Sequence, residues 1–164
     1  MKNNNLEYST FFRNLIIGRQ QEFMVYLQIY RASQKLFGHA KLNIYDQITD
    51  IDGVDFIIRY ETKSSIHFIE AQVKKTKGTL TLIDRKGNDI KSAIERSNKK
   101  KSPILFFAVD HNKKDELQNI YYFTKEELQP FLINKSKSLQ KIIFSIKRDP
   151  RIETFADFIK SKFP

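Results

Sequence analysis

The sequence predicts a single α/β domain in which a mixed β-sheet is flanked by helices. Three observations support this fold class. The 164 residues fit the usual size of one domain with a substantial core. Residues 52–75 contain two runs with the alternating apolar and polar pattern of strands. Residues 104–109 are a continuous apolar run that follows a helical pattern, which is typical of a crossover to a buried strand.

The first predicted element is a helix. The polar residues 1–10 are expected to form a tail, and residues 11–164 the domain. The helix should run from about Phe11 to Phe37, because this stretch lacks proline, and Gly38 suits its C-terminal cap. Its apolar stripe is predicted from residues three, four and seven positions apart: Ile16, Phe23, Leu27 and Tyr30.

A short strand at residues 41–47 is expected to precede a hairpin. The polar segment Glu61–Ser65 should connect the two hairpin strands. Asp55 stands at the start of the first strand, and antiparallel pairing would bring it close to Lys74 near the end of the second. By alternation, the polar face of the second strand is formed by Glu70, Gln72 and Lys74.

Asp55 and this polar face form a candidate metal site. Carboxylate and amide oxygens suit a hard divalent cation, and an ammonium beside them suits cleavage of a phosphodiester bond. Glutamate, glutamine and lysine at successive positions of one strand face are unusual, because charged residues are depleted in strands. The alternative is that a half-exposed hairpin of a basic protein displays polar residues without a function.

At these residues the sequence resembles the PD-(D/E)XK nuclease superfamily. It is most similar to Mrr-like enzymes and to a bacterial branch with G-(V/I)-D followed by Q-V-K. The superfamily pattern has an acid at the start of one core strand and, on the next, an acid or glutamine two residues before a lysine. Asp55, Gln72 and Lys74 match these positions, and Glu70 is an additional acid on the same face. The sequence departs from the pattern in having Val54 for the proline and Gln72 for the second acid.

The resemblance implies a restriction-endonuclease-like core over about residues 15–125 and a nuclease that depends on Mg2+ or Mn2+. Lys74 is then the catalytic ammonium. Many members of the superfamily place a glutamate of the first helix beside the metal, which makes Glu22 a further candidate, although it could equally be a solvated residue. The implied metal ligands are Asp55, Gln72, Glu70 and Glu22.

The composition favours a polyanionic partner. The chain has 29 Lys and Arg against 19 Asp and Glu, a net charge of +10 and a pI of about 9.7, so nucleic acid is expected to bind. No apolar stretch is long enough to span a membrane, and the first ten residues are too polar for a secretory signal; we expect a cytoplasmic protein without a membrane partner. The absence of cysteine excludes thiolate metal sites.

A basic helix is predicted after the hairpin. A short extra strand at residues 79–83 should lead to a helix from about residue 88, whose apolar stripe is Ile90, Ala93, Ile94 and Ser97. Its other face and nearby loops predict a phosphate-binding rim of Lys75, Lys77, Arg85, Lys86, Lys91, Arg96, Lys99, Lys100 and Lys101. The alternative is that the last lysines only interact favourably with the helix dipole.

The C-terminal part should complete the sheet. Ser-Pro ends the basic helix before the apolar strand, and another strand is expected at residues 119–123. Thr124 and Glu127 predict the capping box of a short helix that Pro130 limits. A late strand and an amphipathic helix within residues 139–164 are expected to complete the sheet and its cover.

The expected function is hydrolysis of phosphodiester bonds in nucleic acid with a divalent metal, with DNA preferred over RNA. Two alternatives stay open. One is a nucleic-acid-binding module of the same fold without catalysis, which Gln72 in the position of an acid favours. The other is an interaction or regulatory subunit of a defence or mobile-element system. A homodimer would let one site per chain cut both strands, and a partner protein could supply targeting.

Overall fold

The structure is a computed structural model that describes residues 19–32, 34, 41–46, 53–76, 79–82, 90–110, 120–133, 143–145 and 154–163. Within these ranges the helices are α1 (19–32), α2 (Ile90–Lys100), α3 (Lys125–Ile133) and α4 (Phe155–Lys162). The strands are β1 (Lys41–Asp46), β2 (Phe56–Glu61), β3 (Ile66–Thr76), β4 (Thr79–Thr81), β5 (Ile104–Asp110), β6 (Ile120–Thr124) and β7 (Ile143–Ser145). The tail expected at residues 1–10 lies outside the described residues.

Five strands form a mixed sheet in the order β1-β2-β3-β5-β6. β1, β2 and β3 pair antiparallel, β3 and β5 pair parallel, and β6 is antiparallel to β5. α2 lies between β3 and β5 in the chain, because parallel neighbours need a crossover that returns the chain to the starting end. The prediction of an α/β domain with a mixed sheet and flanking helices is confirmed.

The predicted hairpin is present, with Phe56 of β2 opposite Ala71 of β3. Thr62 closes its turn: the Thr62 N–H donates to the Ser65 carbonyl at 2.8 Å, and the two hydroxyl oxygens lie 2.9 Å apart. Such a turn fixes the register of the two strands without an Asn-Gly pair. Because the side-chain period of a strand is two residues, the register also fixes which side chains share the polar face of β3.

Apolar side chains are buried on both faces of the sheet. α1 and α4 cover one face, whose strand residues include Phe56, Ile58, Ile69, Ala71, Leu105 and Phe107. α2 and α3 cover the other face, whose strand residues include Ile104, Phe106, Ala108 and Phe123. β5 contributes to both clusters, which explains its continuous apolar sequence. The polar residues of β3 alternate with Ile69 and Ala71 and therefore lie on the face that α2 covers.

α2 ends as the sequence predicted, just before Ser102 and Pro103. Lys101 adopts a left-handed conformation with φ of 54°. Its N–H donates to the Asn98 carbonyl at 3.4 Å, and the Ser102 N–H donates to the Ser97 carbonyl at 3.1 Å. These two bonds form a Schellman motif, which satisfies carbonyl groups at the end of the helix. The chain can therefore turn sharply into β5.

The capping box that opens α3 is also confirmed. The Thr124 N–H donates to Glu127 Oε2 at 2.7 Å, and the Glu127 N–H donates to Thr124 Oγ1 at 3.3 Å. Pro130 was expected to limit this helix, and that prediction is wrong, because α3 continues to Ile133. A proline has a helical φ and removes a single intrahelical hydrogen bond, and the buried Leu128 holds the helix against the sheet.

The late strand does not complete the main sheet. β7 pairs with β4 in a separate two-stranded antiparallel sheet, with Leu80 opposite Phe144. The alternating pattern around residues 141–147 predicted a strand correctly, but the pattern of one strand does not identify its partner. The closing helix α4 does cover the sheet, and its buried residues are Phe155, Ala156 and Ile159.

The buried face of α1 differs from the predicted one. Val25 and Ile29 are fully buried in the cluster around β2, whereas Phe23 is 59 % exposed, Leu27 37 % and Tyr30 62 %. The helix carries two apolar stripes with the same spacing, so the spacing alone could not identify the one that packs on the sheet.

Candidate functional site

The Asp55 carboxylate lies against the Gln-Val-Lys stretch of β3. The Asp55 N–H donates to the Ala71 carbonyl at 2.9 Å, and Asp55 Oδ2 accepts a hydrogen bond from the Val73 N–H. Gln72 and Lys74 are the chain neighbours of Val73 on the α2 face of β3. The structure thus brings the carboxylate, amide and ammonium groups of the sequence motif to one end of the hairpin.

Two buried oxygens on this face of β3 have no hydrogen-bond partner in the described part of the chain. Gln72 is 2 % exposed, and its Oε1 is unpartnered. Glu70 Oε2 is also buried and unpartnered, whereas Glu70 Oε1 accepts a hydrogen bond from the Ser102 hydroxyl at 3.3 Å. An unsatisfied buried polar atom costs about 1–3 kcal/mol. Such oxygens, beside the carboxylate of Asp55, fit the ligand preference of Mg2+ or Mn2+.

Arg96 of α2 lies close to Gly53, as the Gln72 amide does. Its Nε and Nη2 atoms are buried and, within the described residues, have no hydrogen-bond partner. Gly53 locates this side chain, because a Cβ added to Gly53 would lie 3.1 Å from Gln72 Nε2 and 3.8 Å from Arg96 Nη2. Gly53 has a φ of 63°, a conformation that glycine adopts without strain. The guanidinium and the Gln72 amide therefore both lie close to a backbone position that carries no side chain.

A short chain of hydroxyl groups ties the end of α2 to Glu70. Lys125 Nζ donates to Ser97 Oγ at 3.2 Å, and Ser97 Oγ donates to the Ser102 carbonyl at 2.6 Å. The Ser102 hydroxyl in turn reaches Glu70, and the Glu70 N–H donates to the Pro103 carbonyl at 3.0 Å. These bonds fix one Glu70 oxygen and leave the other for a ligand.

Glu22 does not join this group of residues. α1 packs on the opposite face of the sheet, and the Glu22 carboxylate pairs with Arg19 at 2.7 Å. Arg19 also lies 3.3 Å from Asp46, and its hydrogen bond with Glu22 raises the pKa of the guanidinium. Burial, followed by a hydrogen bond to Asp46, raises the pKa of Tyr26. Among the described residues, no three acidic or histidine side chains could share a metal ion. The role of Glu22 as a ligand stays a prediction.

The expected basic rim is divided among several places. Lys91 and Lys100 are nine residues apart, or about 14 Å along α2. Lys75 alternates with Lys74 and so extends from the opposite face of β3. The exposed lysines of α2 and the residue after it are Lys91, Lys99, Lys100 and Lys101. The predicted rim residues Lys77, Arg85 and Lys86 lie outside the described residues.

Sequence reasoning did not find the inward position of Arg96. The helical pattern placed it with the exposed lysines, but it lies on the flank of α2 next to the buried stripe. A signal was present in the sequence, because Arg96 precedes the buried Ser97 and follows Ala93 by three positions.

The chain matches no protein family model and has no significant match among curated proteins. Its described helices include none that is both long and apolar enough to cross a membrane. The function must therefore be argued from the arrangement of the side chains.

Proposed function

We propose that this protein is a nuclease that hydrolyses phosphodiester bonds in DNA and requires Mg2+ or Mn2+. The observation that carries the proposal is the buried, unpartnered Oε1 of Gln72 beside the hydrogen-bonded carboxylate of Asp55. A hard divalent cation would satisfy that oxygen. The hairpin also supports the proposal, because the pairing of β2 with β3 puts Asp55, just before β2, next to the part of β3 that carries Gln72 and Lys74.

Each polar residue of the site has a role in this proposal. Asp55, Gln72 and Glu70 would hold the cation through side-chain oxygens, and the Val73 N–H orients the Asp55 carboxylate for this purpose. The bound cation would polarise the scissile phosphate and lower the pKa of a coordinated water. Lys74 would position the attacking water and stabilise the negative charge that develops on the phosphate. Lys99 and Lys100, at the end of α2, would bind the flanking backbone.

A binding module without catalysis is the second candidate, and Arg96 favours it. The guanidinium puts a positive charge near Gly53 and the Gln72 amide, and Gln72 contributes no negative charge where an acid would. Both features weaken the attraction for a divalent cation. Such a module would bind the same phosphate backbone without cutting it.

The test is incubation of the purified protein with plasmid, linear DNA, single-stranded DNA and RNA, each in Mg2+, Mn2+ or EDTA. The variants are Asp55→Ala and Lys74→Ala, with Lys75→Ala as the matched control on the opposite strand face. We expect cleavage of DNA in metal, a loss of about 100-fold or more in the two site variants, and retained cleavage in the control. Circular dichroism and thermal unfolding establish that each variant folds.

Two results would reject parts of the proposal. DNA binding that weakens with salt, without cleavage in either metal, would reject the nuclease and leave the binding module. A Lys74→Ala protein that cuts as fast as the parent would reject the catalytic role of Lys74.

A further inference from the structure

The side chain of Arg96 is the strongest cationic feature that the roles above leave unused. Two of its nitrogen atoms are buried without a partner, and none of the ion pairs among the described residues involves it. A buried guanidinium is costly unless charge-assisted hydrogen bonds compensate for the lost water. Within the described residues, no acidic side chain therefore pairs with these two nitrogen atoms.

The two unpartnered atoms specify the shape of that partner. Nε–H and one Nη2–H lie along the same edge of the planar guanidinium and form a fork of parallel donors. Two oxygens bonded to one atom, as in a phosphate group, match this fork in a bidentate arrangement. The edge lies near Gly53, where an added Cβ would come within 3.8 Å of Nη2.

We propose that Arg96 binds the scissile phosphate itself, through Nε and Nη2, and is a residue of the substrate pocket rather than of a surface rim. This inference rests on the proposed function in so far as the same pocket receives the phosphodiester. Unlike cleavage, this binding does not require a metal ion, because the hydrogen bonds from Arg96 to the phosphate oxygens form without one. Phosphate binding in EDTA therefore depends on Arg96, whereas cleavage depends on Asp55 and Lys74.

The position of Arg96 on α2 supports a role distinct from that of the neighbouring lysines. Lys100 follows Arg96 by four residues and shares its flank of the helix, so it can continue the contact along the backbone. Lys91 lies about 140° around the helix axis from Arg96 and pairs with Glu95 at 3.8 Å. Lys91 therefore provides a matched control: a cation of the same helix that faces elsewhere.

The first experiment measures the affinity of the parent, Arg96→Ala, Arg96→Lys and Lys91→Ala for a short DNA duplex in EDTA by fluorescence anisotropy. We expect a loss of about tenfold or more for Arg96→Ala, because a charge-assisted bidentate pair is removed. Arg96→Lys should recover only part of the affinity, since an ammonium keeps the charge and loses the fork. Lys91→Ala should change the affinity less than twofold.

The second experiment observes the guanidinium directly. The Nε–Hε signal of Arg96, assigned in a 15N spectrum by its absence from Arg96→Lys, should shift when inorganic phosphate or the duplex is added to the parent in EDTA. Chloride at the same ionic strength is the control for general screening, and it should leave the signal in place.

The outcomes separate this inference from the proposed nuclease. Equal DNA affinity of Arg96→Ala and the parent, or an Nε–Hε signal that neither phosphate nor duplex moves, would overturn the role of Arg96. If Arg96→Ala does not fold, the spectrum of the parent decides. Arg96-dependent binding in EDTA with no cleavage in any metal would retain this inference and reject the nuclease.

Discussion

Gln72 combines deep burial with an oxygen that nothing in the described structure satisfies. Its register partner on β5 is Phe106, which is fully buried, so one side of the amide faces an apolar residue. An apolar side chain would avoid the cost of the unpaired oxygen. Residues that reduce stability in this way are most common at functional sites. Packing alone therefore does not account for the amide, and the proposed role as a ligand would account for it.

Replacing Gln72 by Met should separate stability from activity. Met has a similar shape and no oxygen, so the free energy of unfolding should stay the same or rise by about 1 kcal/mol, while cleavage is lost. Urea unfolding in EDTA and the plasmid assay in Mg2+ measure the two quantities. Gln72→Glu is the matched control, because it keeps an oxygen ligand and should retain cleavage. A Gln72→Met protein that is clearly less stable than the parent would show that the amide has a packing role.

At the residue scale, the sequence was sufficient where the two-residue period of a strand and the pairing of adjacent strands decide which side chains lie close together. The strand period and antiparallel pairing predicted that Asp55 would lie near Lys74, and the hydrogen bond from the Val73 N–H to Asp55 agrees with this. Arg96 could not be placed in the same way. A residue on the flank of a helix becomes buried or exposed according to a small rotation of the helix, and the packing of α2 on β3 determines that rotation.

At the scale of elements, the backbone conformation at the end of α2 is unfavourable for the residue type that occupies it. Lys101 occupies the left-handed position of the Schellman motif, where glycine is the usual residue, because a side chain there crowds the backbone. The motif forms nonetheless, since the two hydrogen bonds at the helix end and the burial of Ser97 hold the chain in place.

Lys101→Gly should raise the free energy of unfolding by about 0.5–1 kcal/mol. The substitution relieves the left-handed strain, and part of the gain is offset because glycine has more freedom in the unfolded chain. Lys99→Gly is the matched control: it removes the same charge two residues earlier, within the helix, and should lower stability by a similar amount. Urea unfolding of both variants measures the difference. Equal effects of the two substitutions would contradict the prediction.

The positions of most helices and strands were predictable from the sequence, but the elements against which they pair or pack were less predictable. Period and capping signals gave the hairpin, the apolar strand β5 and the capping box of α3, because each depends on residues close in sequence. The pairing of β4 with β7 and the choice of the buried stripe on α1 depend on residues far apart in the chain. The strand partner and the buried helix face are determined by how the whole core packs, and a short stretch of sequence does not carry that information.

At the scale of the whole molecule, the chain has a net charge of +10, and only some of its basic residues lie on the same side of the sheet. The polar face of β3 and the flank of α2 that carries Arg96 and Lys100 belong to one side of the sheet. Lys75 projects from the other face of β3, and Lys91 is already paired with Glu95. Charge alone predicted a polyanionic partner, and the fold shows which of the basic residues lie on the same side of the sheet.

The salt dependence of DNA binding should identify these residues. Each lysine that contacts a phosphate releases counterions, so the slope of log affinity against log salt should become smaller in magnitude by about one for each contact removed. The double variant Lys99→Ala, Lys100→Ala should reduce the magnitude of the slope by roughly one to two, whereas Lys91→Ala should leave the slope unchanged. Anisotropy titrations of a duplex in EDTA at several salt concentrations measure the slopes. An affinity of the parent that does not depend on salt would mean that the charge serves no phosphate contact, and would favour an interaction protein over any nucleic-acid-binding function.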